Sequence, residues 1–314
     1  MLDGLYDSIG SGRLNLPDDY SCDIFVSAFN LSERVRFVYD RIEAKAKFWV
    51  IHNEYYFEKS ELPADGILIS SDASEETEFV VGVMDVALEG ADRSSRICVD
   101  STGFMRPHLM FMLLYLQGKG FTSLDVIYTE PSHYSRKAET VFSSDVYEVR
   151  QVGGYEGAHS TDLSKDVLLI GCGYDHGLVS EVISYKGGAR VLQLLSLPSL
   201  SADMYQESLV RLQRVVDSPS SVSEVQIAYA SANDPFATFI ALEESISRIA
   251  RAQGTVTNLY LSPLATKPQV IGFCLFYIKR LAGGPASMIF PFARSYSKET
   301  SKGVGRVWLY RLDL

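Results

Sequence analysis

Short runs of β-branched, aromatic and aliphatic residues alternate with helix-period stretches almost from end to end of this chain. In the first half CDIFVSAF (22–29), KFWVIH (47–52), GILISS (66–71), RICVD (96–100) and SLDVIYT (123–129) read as strands. Helical segments stand among them. SERVRFVYDRIEAKA places Val35, Val38, Tyr39 and Ile42 on one face. A second runs from Ser74 to about Glu89 with acids in its first turn, and a third over 106–117 is ended by Gly118. A polar, glycine-rich stretch over 143–159 interrupts the pattern. It then restarts with strands at 166–173, 190–196, 225–231, 256–262, 286–292 and 306–312, and helices at 178–185, 203–216, 235–253 and 267–281.

Alternation of this kind requires a mostly parallel sheet covered by helices on both faces. VLLIG and ILIS are apolar without a break, as strands buried on both faces must be. The chain has 314 residues, which suits about two domains of roughly 100–200 residues each. The expectation is an α/β protein of two Rossmann-like halves, an N-terminal one over 1–150 and a C-terminal one over 160–314. A single continuous sheet is the alternative. The last strand follows a loop rather than a helix, so it is expected antiparallel at a sheet edge.

Charge and cysteine narrow the partners. Lys and Arg total 29 against 39 Asp and Glu, a formal charge of −10. Such an acidic chain does not suit general nucleic-acid binding, which needs clustered cations. The balance is uneven: 60–92 carries nine acids and no Lys or Arg, whereas 279–306 carries six bases and one acid. Complementary segments of this kind suit head-to-tail association or a protein partner, and the basic one suits an anionic ligand. The apolar runs at 109–116 and 270–278 are too short for a membrane span, and the first residues lack the pattern of a signal peptide. Cys22, Cys98, Cys172 and Cys274 are scattered, without a CxxC pair, so no metal site is expected and a reducing cytoplasm fits best.

In open parallel sheets a ligand sits beyond the carboxyl ends of the strands. The loops there supply Asn30, Asp72, Gly173, Asp175, Asn233, Thr266, Lys267 and Arg294 as candidate ligand-binding residues. Their side chains suit ribose and phosphate, although such residues also cap helices in any α/β protein. GCGYDHG (171–177) departs from GxGxxG, because His176 stands where the third glycine belongs. Asp100, at a strand's carboxyl end, is the best single carboxylate for general-base work or for a ribose hydroxyl. No GxSxG elbow or GxxxxGK[ST] loop is present. The five histidines are isolated in sequence. Of these, His133 and His176 fall in post-strand loops.

SPLATKPQVIGFCLFYIKR places Thr266-Lys267 at the start of an apolar helix directly after a strand. Over about 225–285 this resembles the strand–GTK–helix element of CARF-type domains, Rossmann-like sensors of cyclic oligoadenylates, with Ala265 in the glycine position. The resemblance implies that Thr266 and Lys267 contact ligand phosphates beside the 231–234 loop. The opening CDIFVSAFNLSERVRFVYDRI also resembles the first strand and helix of a TIR domain. That likeness implies a glutamate cleaving the NAD glycosidic bond, a role open to Glu76 in the Glu75–Glu76–Glu78 cluster.

Three readings follow. The first is a nucleotide- or small-anion-binding module, a sensor or effector subunit in prokaryotic antiviral or stress signalling, possessing no identified cofactor beyond a nucleotide and free to form a homo-oligomer. The second is an enzyme acting on a nucleotide or NAD through Asp100 or Glu76. The third is a scaffold subunit of a protein complex.

Overall fold

The computed structural model describes residues 10–134, 143–173, 175–200, 226–296 and 301–314. The chain divides into two compact units, Met1–Asp145 with Arg294–Leu314, and Val146–Ala293. Each is built on a mostly parallel sheet with helices on its faces, the α/β architecture expected from the alternation.

The first unit holds β1 (Gly10–Asn15), β2 (Ser21–Ala28), α1 (Glu33–Arg41), β3 (Glu43–Val50), β4 (Ile67–Ile69), α2 (Glu76–Ala87), β5 (Ile97–Asp100), α3 (Arg106–Gly118), β6 (Ser123–Thr129) and β15 (Val307–Asp313). Their order across the sheet is β1-β15-β6-β5-β2-β3-β4. β2 is parallel to β3 on one side and to β5 on the other. A small antiparallel ribbon pairs β7 (His133–Tyr134) with β14 (Ser301–Lys302).

The second unit holds β9 (Val167–Gly171), α4 (His176–Tyr185), β10 (Arg190–Ser196), β11 (Gln226–Ala230), α5 (Pro235–Gln253), β12 (Leu259–Pro263) and α6 (Lys267–Phe276), which runs on into a π-helical turn, Tyr277–Leu281. Its sheet order is β11-β10-β9-β12-β13-β8, with β8 (Ser143–Gln151) and β13 (Ala286–Tyr296). β9 is parallel to both β10 and β12. Each sheet therefore has one strand, β2 or β9, from which the chain builds outward in both directions. That is the arrangement in which the loops on either side part to leave a crevice.

Local sequence explains the helices. Val35, Val38 and Tyr39 of α1 are buried, with Ile42 just beyond its end. Tyr39 lies flat on Trp49 at 3.7 Å between ring centroids, so burial and ring stacking act together there. Asp234 caps α5, its carboxylate accepting from the Phe236 and Ala237 amides, and Pro235 opens the first turn. Residues 268–276 of α6 are all buried, as a helix apolar almost all round must be.

Two sequence expectations are corrected. The final strand does not belong with the C-terminal half. β15 pairs with β6 from Val307–Thr129 to Asp313–Ser123. Residues 124–129 of β6 are buried and need a neighbour on that side, and proximity in sequence does not choose which strand supplies it. β15 is antiparallel as expected and forms, with β1 beyond it, the antiparallel pair at this sheet's edge. The GSGRLN of β1 has too little apolar alternation to read as a strand. The polar stretch 143–159 contains β8, whose residues from Val146 onward are exposed or half-buried as an edge strand permits. The helix expected over 203–216 lies outside the described residues. Among the described residues no helix is long and apolar enough to cross a membrane.

Candidate functional site

The candidate residues divide between two carboxyl edges, one in each unit.

At the second unit's edge, the loop after β9 carries Gly173 and Asp175, and the loop after β12 carries Thr266 and Lys267. These loops touch. A Cβ on Gly173 would run into the carbonyl oxygen of Leu264, so only glycine lets the two pass. The contact falls at the branch point between β9 and β12. Asp175 caps α4, its Oδ1 accepting from the Leu178 amide at 3.4 Å. Thr266 caps α6 in the same manner, accepting from the Gln269 amide at 3.4 Å. Its hydroxyl also donates to the Ala232 carbonyl, which draws the 231–234 loop, and with it Asn233, beside the start of α6. Below them Gln269 is fully buried, accepting from Ser196 Oγ at 2.9 Å and reaching the Ala230 carbonyl at 3.5 Å. Gly173, Asp175, Asn233, Thr266 and Lys267 are all half-exposed. The two helix starts differ electrically. Asp175 already sets a carboxylate at α4, whereas α6 begins with a neutral hydroxyl followed by the ammonium of Lys267.

In the first unit Asp100 ends β5 opposite Ser27 of β2. It is fully buried, accepting from Ser27 Oγ at 3.1 Å and from the Thr102 amide at 3.0 Å. Burial pushes its carboxyl above the ordinary range, and the hydrogen bonds from Thr102 and Ser27 oppose that shift. Gly103 presses against the Ala28 carbonyl, closing this branch point as Gly173 closes the other. Thr102 Oγ1 accepts from the Thr129 amide, and Arg34 donates from Nη1 to the Thr129 carbonyl at 2.8 Å. Asn30 is half-buried and accepts from the Ser32 amide. Asp72 is exposed after β4. Glu76, at the first position of α2, is buried. Arg294 is exposed where β13 enters the first unit. Thus Asn30, Asp72, Glu76, Asp100 and Arg294 belong to the first unit, and Gly173, Asp175, Asn233, Thr266 and Lys267 to the second.

The first unit also gathers residues that spacing did not mark. His52 and Glu54 follow β3, and His108 lies in the first turn of α3 after β5. Those strands flank β2, so the three side chains meet beyond its carboxyl end. One ligand-type atom from each lies within 4.8 Å of the others. The imidazoles are 4.7 Å apart between centroids. Phe79 stacks on His52 at 5.1 Å and meets His108 edge-on at 4.9 Å, and Phe104 closes against His52. Both histidines are buried. Glu54 Oε1 is 3.9 Å from His108 Nε2, beyond hydrogen-bond length. Burial raises the Glu54 carboxyl. His52 and Glu54 stand two positions apart, but fifty-six separate the two histidines, so spacing does not join the third residue to the pair. His133 is exposed in β7 beside Ser132, and His176 opens α4.

The fold is that of an α/β protein of two units, each built on a mostly parallel sheet. Comparison with protein-family models, with curated proteins and with solved structures finds no match.

Proposed function

We propose that the second unit binds a small phosphate-bearing ligand of the nucleotide class at the start of α6, and that this binding serves sensing. The observation that carries the reading is the Gly173–Leu264 contact. It brings the loops after β9 and β12 together at the branch point, beside Lys267 at the start of α6. An anion there meets the positive end of a helix and a full positive charge at once. The carboxylate of Asp175 occupies the neighbouring helix start, which directs a second anion toward α6. Asn233 adds an amide on the third side through the Thr266–Ala232 link. The CARF resemblance of this segment agrees with a phosphate at Thr266-Lys267, and its setting would be prokaryotic antiviral or stress signalling.

The test is calorimetric titration of the full chain with inorganic phosphate, ATP and cyclic tri- and tetra-adenylates. At least one should bind, and Lys267→Ala should weaken it about tenfold or more, the worth of one charge-assisted contact. Undiminished affinity in a folded Lys267→Ala protein overturns the reading.

A further inference from the structure

We propose that His52, Glu54 and His108 form a binding site for one divalent first-row transition-metal ion, zinc above all. The site lies in the first unit, and the inference is independent of the anion reading.

The donor set comes first. Two imidazoles and one carboxylate are a ligand set that zinc takes with a fourth position left open. The same set suits other first-row divalent ions, and calcium or magnesium would call for oxygen donors instead. Geometry comes second. Three atoms within 4.8 Å of one another share a centre about 2.8 Å from each, against about 2.0–2.2 Å to bound zinc. Side-chain rotations that move each donor by well under 1 Å close that gap. The 3.9 Å between Glu54 Oε1 and His108 Nε2 is too long for a hydrogen bond and close to the spread of two donors on one ion.

Surroundings come third. Glu54 is largely enclosed, and its Oε2 is buried with no hydrogen-bond partner among the described residues. A carboxylate held that way beside two imidazoles, themselves packed on Phe79 and Phe104, is short of positive charge. A divalent ion supplies it. Location comes last. The three residues follow β3 and β5 and meet beyond the end of β2, the strand from which this sheet branches. The side of the site at Glu54, with 26% of that side chain accessible, is its opening to solvent. The open coordination position would face a water molecule there.

The experiment uses the full chain, stripped with a chelator and titrated with Co²⁺ as a visible probe, then with Zn²⁺ in competition. One equivalent of Co²⁺ should bind with the absorption of a low-symmetry site, and Zn²⁺ should displace it. Glu54→Gln is nearly isosteric and partly exposed, so it should fold. It should weaken the metal by at least about tenfold. His108→Gln should do the same if it folds, as judged by circular dichroism. Absence of stoichiometric uptake by the folded wild-type chain overturns the site, as does equal affinity in folded Glu54→Gln.

Discussion

Ser27 and Asp100 face each other across β2 and β5, and Ser27 Oγ donates to Asp100 Oδ2 over 3.1 Å at a point with no solvent exposure. This carboxyl is therefore a link between two strand ends. Burial raises its pKa in the folded state, so the native protein holds its proton to higher pH than the unfolded chain does. Stability from this group is accordingly present at low pH and falls as pH rises from the ordinary carboxylate range through the raised value. Asp100→Asn removes that dependence. It should leave the fold intact and match or exceed wild-type stability at pH 7, the gap shrinking as pH falls toward 4. Denaturant unfolding across that range checks it. A large loss of stability at pH 7 would mean the charge itself is required.

Gly103 and Gly173 do the same work in the two units, each letting the backbone pass a carbonyl oxygen, of Ala28 and of Leu264. Neither carbonyl can swing away as a flexible side chain would. Gly103→Ala and Gly173→Ala should each cost about 1–3 kcal/mol, the usual range for forcing a methyl into filled space. Gly118→Ala, at the end of α3 with open space around it, should be neutral or slightly stabilising. Thermal melts of the three variants make the comparison. Equal midpoints for Gly118→Ala and Gly173→Ala would show that the loops do not meet as described.

Thr266 caps α6 and ties it to the Ala232 carbonyl. Thr266→Ala should cost about 1 kcal/mol of stability from the lost cap, and Thr266→Ser should recover most of it. The same pair separates capping from recognition. A ligand phosphate touching the hydroxyl would make Thr266→Ala lose affinity and Thr266→Ser keep it, as read by titration with the ligand identified for Lys267.

All four cysteines are free thiols and buried. Burial pushes Cys172 and Cys274 up to about 12, and raises Cys98 as well. Thiolate is the reactive form. An aromatic disulfide reagent at pH 8 should therefore label the native chain very slowly and reach four thiols after denaturation. Rapid labelling of any thiol in the folded protein would contradict the burial.

Much of the fold was legible because period and apolarity are local properties. SLDVIYT and RVLQLLS are strands over the residues read from sequence, and the helix at 235–253 begins at Pro235 behind Asp234 as its capping pattern indicates. The Thr266-Lys267 helix start was visible for the same reason. β1 and β8 were not, because edge strands with exposed faces need no apolar run. The His52–Glu54–His108 group was hidden for a different reason, since its members are ordinary residues in two segments far apart along the chain.

The sequence by itself determined the α/β class, the parallel sheets and the strand ends at which ligand-type residues collect, because each follows from the hydrogen-bonding and burial needs of a short stretch of chain. Only the tertiary structure decided that the last strand returns to the first sheet, that Gly173 lies under Leu264, and that two histidines and a glutamate lie side by side. Those outcomes depend on which distant surfaces bury each other best, and burial free energy follows contact area in space without regard to separation along the chain.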